Sequence, residues 1–131
     1  MNWTEFECII DESRTRDFQW GNHDCMQFVN RIYKTLKGQV LCPEAEKRYS
    51  TAFGARKALL EEVNGDYKLL IDRYLERVDP KLAKKGDVVM FDTRGDGDAV
   101  GICLGSQFCC VTSVGLSYLP MSLALLAWKV L

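Results

Sequence analysis

Hydrophobic residues follow two patterns along this chain. Up to about residue 75 they recur every three to four positions, and after Pro80 they come in short continuous runs. Trp3, Phe6, Ile9 and Ile10 share one face of a helix predicted over Trp3 to Arg14. A polar turn from Asp17 to Asn22, containing Gly21, leads to Asp24, a good N-cap. Cys25, Phe28, Val29, Ile32, Tyr33 and Leu36 then form the apolar face of a second helix, which Gly38 ends. Gln39 to Arg48 reads as a loop with Pro43. Thr51 to Val63 is helical again until Asn64-Gly65, and a shorter helix covers about Tyr67 to Leu75.

Beyond Pro80 the runs fit buried strands: Val88 to Phe91, Ala99 to Leu104 (broken by Gly101), Phe108 to Thr112, Leu116 to Leu119 and Trp128 to Leu131. Thr93 to Asp98 reads as a hairpin-like loop. Pro120 suits the first turn of a short helix through Leu126. Helices first and strands after predict an α+β fold, with N-terminal helices packed on a small antiparallel sheet or half-barrel. No repeat or linker divides the chain, so residues 1–131 read as one domain.

Composition narrows the function. The chain has 131 residues, 47% hydrophobic and 27% charged, enough for a core without covalent staples. A net charge of −1, with basic residues scattered (Arg14, Arg16, Lys34, Lys37, Lys47, Arg48, Lys84, Lys85), argues against nucleic acid or an anionic membrane as partner. Met1 to Glu7 lacks a basic segment followed by an apolar run, and Leu123 to Trp128 is too short to span a bilayer. Synthesis and folding in a cytoplasm are therefore expected. The six cysteines, Cys8, Cys25, Cys42, Cys103, Cys109 and Cys110, form no paired metal-ligand spacing, and there is one histidine. Free and mostly buried thiols are expected, with no metal and no cofactor.

The chemistry concentrates in Trp20-Gly21-Asn22-His23-Asp24-Cys25-Met26-Gln27-Phe28. A cysteine in the first turn of a helix meets free backbone N–H groups and the positive end of the helix dipole. That placement favours a thiolate and supplies part of an oxyanion hole. Cys25 is therefore a candidate nucleophile; equally, it can be the first core-facing residue of the helix. His23 is the one available imidazole, but two residues upstream and outside the helix it is poorly placed as a base. Asp24 is expected to cap the helix, and its charge to oppose thiolate formation. Asp92, Asp96 and Asp98 lack the spacing of a calcium loop and read as a solvated turn. Trp20 and Trp128 are candidates to line a groove or to pack in the core.

Three segments in order resemble the papain-like, NlpC-type cysteine peptidases. Trp20-Gly21 with Asp24-Cys25 and Phe28 resembles the nucleophile motif, and Gly86-Asp87-Val88-Val89 resembles a glycine-aspartate strand. Ala99-Val100-Gly101-Ile102-Cys103-Leu104-Gly105 resembles the strand that in active members begins with the catalytic histidine. The resemblance implies a nucleophile position at Cys25 and structural or groove roles for Trp20, Gly21, Asp24, Asp87, Asp98 and Ala99. The histidine position holds Ala99, flanked by Asp98, so the base is missing. A narrower resemblance, to small proteins of tailed bacteriophages and prophages, rests on the same segments with Tyr49-Ser50-Thr51 and a Gly115-Leu116 to Ala127-Trp128 ending. It implies a virion location, other tail-tip or tail-hub proteins as partners, and a peptidase fold without catalysis. An active hydrolase of peptidoglycan stem peptides and a host-directed binding protein are the competing readings.

Overall fold

The computed structural model describes residues 2–46, 48–95 and 97–131, so Lys47 and Asp96, the middle member of the Asp92–Asp98 loop, lie outside the described residues. Among the described residues the helices are α1 (Trp3–Ser13), α2 (Cys25–Lys37), α3 (Ala52–Val63) and α4 (Tyr67–Asp72). The strands are β1 (Glu76–Val78), β2 (Val88–Asp92), β3 (Asp98–Cys103), β4 (Gln107–Thr112), β5 (Gly115–Pro120) and β6 (Leu126–Lys129). They form one antiparallel sheet in the order β1-β6-β2-β3-β4-β5. The α+β fold expected from the sequence is the fold observed.

Local chemistry explains the helix limits. Asn2, Asp24, Thr51 and Asp66 each accept a backbone N–H bond at the start of a helix. Gly38 (φ 85°) ends α2, and Asn64 (φ 55°) ends α3, both in the left-handed conformation that closes a helix. The apolar face of α2 buries Met26, Phe28, Val29, Ile32, Tyr33 and Leu36.

The central strands are buried on both faces, which is why their sequences run apolar without alternation. One face carries Val88, Met90, Val100, Ile102, Cys109, Val111 and Trp128 and packs on α1, α2 and α4. The other carries Val89, Phe91, Ala99, Cys103, Phe108, Cys110 and Ala127, and is closed by Val78, Ala83, Leu119, Met121 and Ala124. Gly101 has a packing reason: a Cβ there would lie 2.6 Å from the Cys109 carbonyl oxygen on β4. Cys42, Cys103, Cys109 and Cys110 are buried and free, as expected; Cys8 is exposed and Cys25 half-buried.

Two features differ from the sequence expectations. Residues 120–126 form a single 3-10 turn, Met121–Leu123, because Pro120 is still paired with Gln107 as the last residue of β5. The short strand β1 lies between Leu75 and Pro80, where the sequence predicts no element, and its pairing partner β6 creates it. Trp128 takes the core position, one of its two expected roles: it is fully buried, and its indole N–H donates to Asp72 Oδ1 at 2.8 Å.

Asp87 has a structural role. Its Oδ2 accepts from Lys84 N at 2.8 Å and its Oδ1 from Val130 N at 3.0 Å, which ties the turn before β2 to the end of the chain. Asp87→Ala leaves those two N–H groups without partners and lowers stability by about 2–4 kcal/mol. Asp98→Ala, at an exposed position facing Asp92 across the hairpin, changes it by about 0.5 kcal/mol or less. Urea titration of both variants checks the contrast; equal losses would deny Asp87 its role.

Candidate functional site

A cavity of about 610 Å³ opens between the N-terminus of α2, the inner side of α3 and the β2–β3 end of the sheet. Cys25 sits in it, and Ala99 and Asp98 line it from β3. Trp20, Tyr49, Tyr67 and Leu59 supply much of its apolar wall, and Arg48 and Arg56 bring charge from the α3 side. Trp20 is partly exposed and packs edge-on against Phe18 with ring centroids 4.9 Å apart.

Asp24 builds this corner. Its carboxylate is 1% exposed and accepts three hydrogen bonds: Gln27 N to Oδ1 at 2.9 Å, Gly21 N to Oδ2 at 2.8 Å and the Tyr49 hydroxyl to Oδ2 at 2.8 Å. The first caps α2, the second closes the preceding turn, and the third draws in a segment 25 residues away. Gly21 (φ 80°) is required where this segment passes: a Cβ there would sit 1.9 Å from the Tyr49 carbonyl oxygen. Gln27 adds a bond from Nε2 to Ala45 O at 2.8 Å, fixing the loop beside Tyr49.

The thiol placed by this frame is not the thiolate that its helix position suggests. Burial pushes the Cys25 thiol up to about 11; backbone N–H groups of Val100 and Met26 act the other way, and the Asp24 carboxylate adds to the rise. Desolvation thus outweighs the helix terminus. The nearest polar side chain is Tyr67, whose hydroxyl lies 4.0 Å from Sγ. Burial also holds that phenol well above its ordinary value, so it is no base at neutral pH.

His23 is not available to Cys25. It is fully buried in the turn closed by the Gln19–His23 bridge, and its Nδ1 lies 2.7 Å from Arg31 Nη2. Arg31 is six residues beyond Cys25, about 240° around the helix, so the imidazole is engaged away from the cavity. Burial, then Arg31 and Arg16, bring its pKa down to about 4. The site therefore brings together Cys25, Asp24, Trp20, Gly21, Asp98 and Ala99, and leaves out His23 and Asp87. Tyr49 and Tyr67, which complete it, carry no local pattern that marks them as partners of Cys25. No group of three or more His, Cys, Asp or Glu side chains suited to a metal ion occurs among the described residues.

The outer wall of the cavity is held differently from the core. α3 fully buries Val63 alone and presents Ala52, Ala55 and Ala58 to the cavity. Arg48 bonds Glu61 at 2.9 Å and also Glu62, while Arg73 bonds Glu62 at 3.0 Å and Glu44 at 2.9 Å. This ion-pair network adds to a small apolar seam, in which Val63 joins the core and Leu59 packs against it.

Two outcomes follow. At pH 8 a thiol with a pKa near 11 is about one part in a thousand thiolate, so iodoacetamide modifies exposed Cys8 well before Cys25. Site-resolved mass spectrometry reads the order, and preferential Cys25 labelling would contradict this environment. His23, whose folded pKa lies below its unfolded value, is held neutral by the fold. The unfolded chain gains the proton first, so stability is full above about pH 6.5 and falls toward pH 4, by roughly 3 kcal/mol. His23→Gln flattens that part of the stability–pH curve.

Comparison with known proteins bears on the fold. No curated protein matches the chain. The crystal structure of the NlpC/p60 domain of the peptidoglycan hydrolase SagA is similar over 98% of this chain and 99% of that one, with TM-score 0.64 and 14% sequence identity. That likeness shows an NlpC/p60, papain-like fold. The model of one family, described as Domain of unknown function (DUF6950), matches residues 2–130, and the chain belongs to that family.

Proposed function

We propose that this protein is a non-hydrolytic NlpC-type module that holds an extended peptide in the cavity beside Cys25 without cutting it. The observation that carries the reading is the pairing of an intact nucleophile position with a missing base. Cys25 packs beside Ala99 at the cavity wall, and the one imidazole in the chain is bound to Arg31 elsewhere. Acyl transfer by a thiol needs a base within hydrogen-bond reach or a lowered thiol pKa. Neither supports catalysis here. The cavity joins aromatic walls (Trp20, Tyr49, Tyr67) to charged groups at Arg48, Arg56 and Asp98, a combination suited to gripping side chains.

The place of such a module is a bacteriophage tail tip or hub, as an assembly or structural component contacting other tail proteins. The resemblance of five sequence segments to phage and prophage proteins is the ground for this setting. A peptidoglycan hydrolase, the activity named for SagA, is the second reading. It is favoured by the backbone N–H groups of Val100 and Met26 at the sulfur, which could serve an oxyanion.

Purified protein incubated with peptidoglycan releases no new amino termini, and Cys25→Ala leaves phage assembly and infection unchanged. The chain is found by mass spectrometry in purified particles. Cys25-dependent release of stem peptides would replace this reading by the hydrolase. Ala99→His, which restores an imidazole on the strand beside the thiol, raises the Cys25 alkylation rate at pH 8 at least about tenfold; no change would mean that base loss is not what silences the site.

A further inference from the structure

No described residue of either edge strand of the sheet lines the cavity, and the two edges are finished differently. β1 spans three residues, two of them the exposed charges Glu76 and Arg77. A short, charged edge discourages further pairing. β5 spans six residues, and none of them is charged. From Ala99 to Trp128 the chain contains no Asp, Glu, Lys or Arg. β5 pairs with β4 on one side and, among the described residues, with nothing on the other.

Which main-chain groups are open on that side follows from the ladder. Met121 N donates to Ser106 O at 3.1 Å, just beyond the Gln107–Pro120 pair. Antiparallel pairs alternate between bonded and unbonded. Gly115, Ser117 and Leu119 therefore bond β4, while Leu116 and Tyr118 direct their N–H and C=O groups away from the sheet. Pro120 has no N–H and bounds this edge. Arg14 reaches the edge from the end of α1, but it is engaged by Asp11 at 3.2 Å and by the Tyr118 hydroxyl at 3.0 Å.

We propose that β5 is a self-association edge: a second copy of this chain pairs with it antiparallel about a two-fold axis at Ser117, joining the two sheets into one. In that register Leu116 and Tyr118 of one copy meet Tyr118 and Leu116 of the other, and each facing pair exchanges both of its N–H···O=C bonds. On one face an apolar side chain meets an aromatic ring on either side of the axis. On the other face Ser117 meets its own copy. A small uncharged residue stands at the one position where a charge would always meet itself, a neutrality that pairing with a foreign strand does not require. A contact of this length is weak, with a Kd of roughly 10–100 μM.

Sedimentation velocity of the full chain, from about 5 to about 500 μM, shows a reversible monomer–dimer equilibrium. Hydrogen exchange read by NMR slows at the Leu116 and Tyr118 amides as concentration rises, while the Ser117 and Leu119 amides, already bonded to β4, do not change. Ser117→Lys and Ser117→Glu each weaken association about fivefold or more, because like charges meet across the axis. An equimolar mixture of the two restores it, which misfolded variants cannot do. A monomer at every concentration overturns the proposal and leaves the edge to a strand of another protein. A dimer that survives both substitutions places the contact on another surface and overturns it too, as does a dimer lost in both variants and not restored by mixing them.

Discussion

The buried carboxylate of Asp24 is the constraint on which the rest of this molecule's site depends. A carboxylate withdrawn from water loses several kcal/mol of solvation and must recover it from donors. Three elements supply them: the first turn of α2, the Gly21 amide and the Tyr49 hydroxyl. Because the same two oxygens serve all three, the turn before α2, the helix itself and the loop beyond Ala45 are oriented together. Cys25 inherits its position from that arrangement, and so does the closed turn that turns His23 toward Arg31. The corner is set by solvation of a charge rather than by shape alone.

Much of the architecture was legible in the sequence because it is local. Asp24 and Gly38 bracket α2, Thr51 and Asn64 bracket α3, and the apolar runs from Val88 onward are strands, all close to the predicted limits. The order of segments also carried the fold family. What escaped were features made by distant partners. Glu-Arg-Val is no strand by composition; it becomes β1 because β6 offers an edge. Residues 120–126 contain the ingredients of a short helix, yet Pro120 is held in the ladder with β4, and Met121 and Ala124 are needed to close the second face of the sheet. Tyr67 reaches Cys25 across 42 positions.

The sequence left the state of the thiol open for a physical reason. A helix N-terminus can be recognised from a cap residue, but how far a side chain is withdrawn from water depends on what packs over it. Here Tyr67 stands beside the sulfur, Cys25 touches both apolar clusters, and burial outweighs the N–H groups directed at it. The wall opposite is of another kind. Exposed ion pairs contribute modestly and weaken with salt, so α3 is the part of the cavity whose hold on the body varies with ionic strength, while the floor does not.

The clash recorded at Gly21 bears on how such a chain can drift. The atom that a side chain there would strike is the backbone oxygen of Tyr49, so no exchange of side chain at position 49 can make room. Asp24 is bound in the same way, by partners that include two main-chain amides. Cys25 answers to no comparable requirement: any small residue would fill the corner. A lineage that abandons peptide-bond chemistry is free to lose the sulfur and the imidazole, yet must keep the glycine and the aspartate to stay folded. The glycine and aspartate letters are thus held by the architecture of this corner and do not by themselves report a reaction.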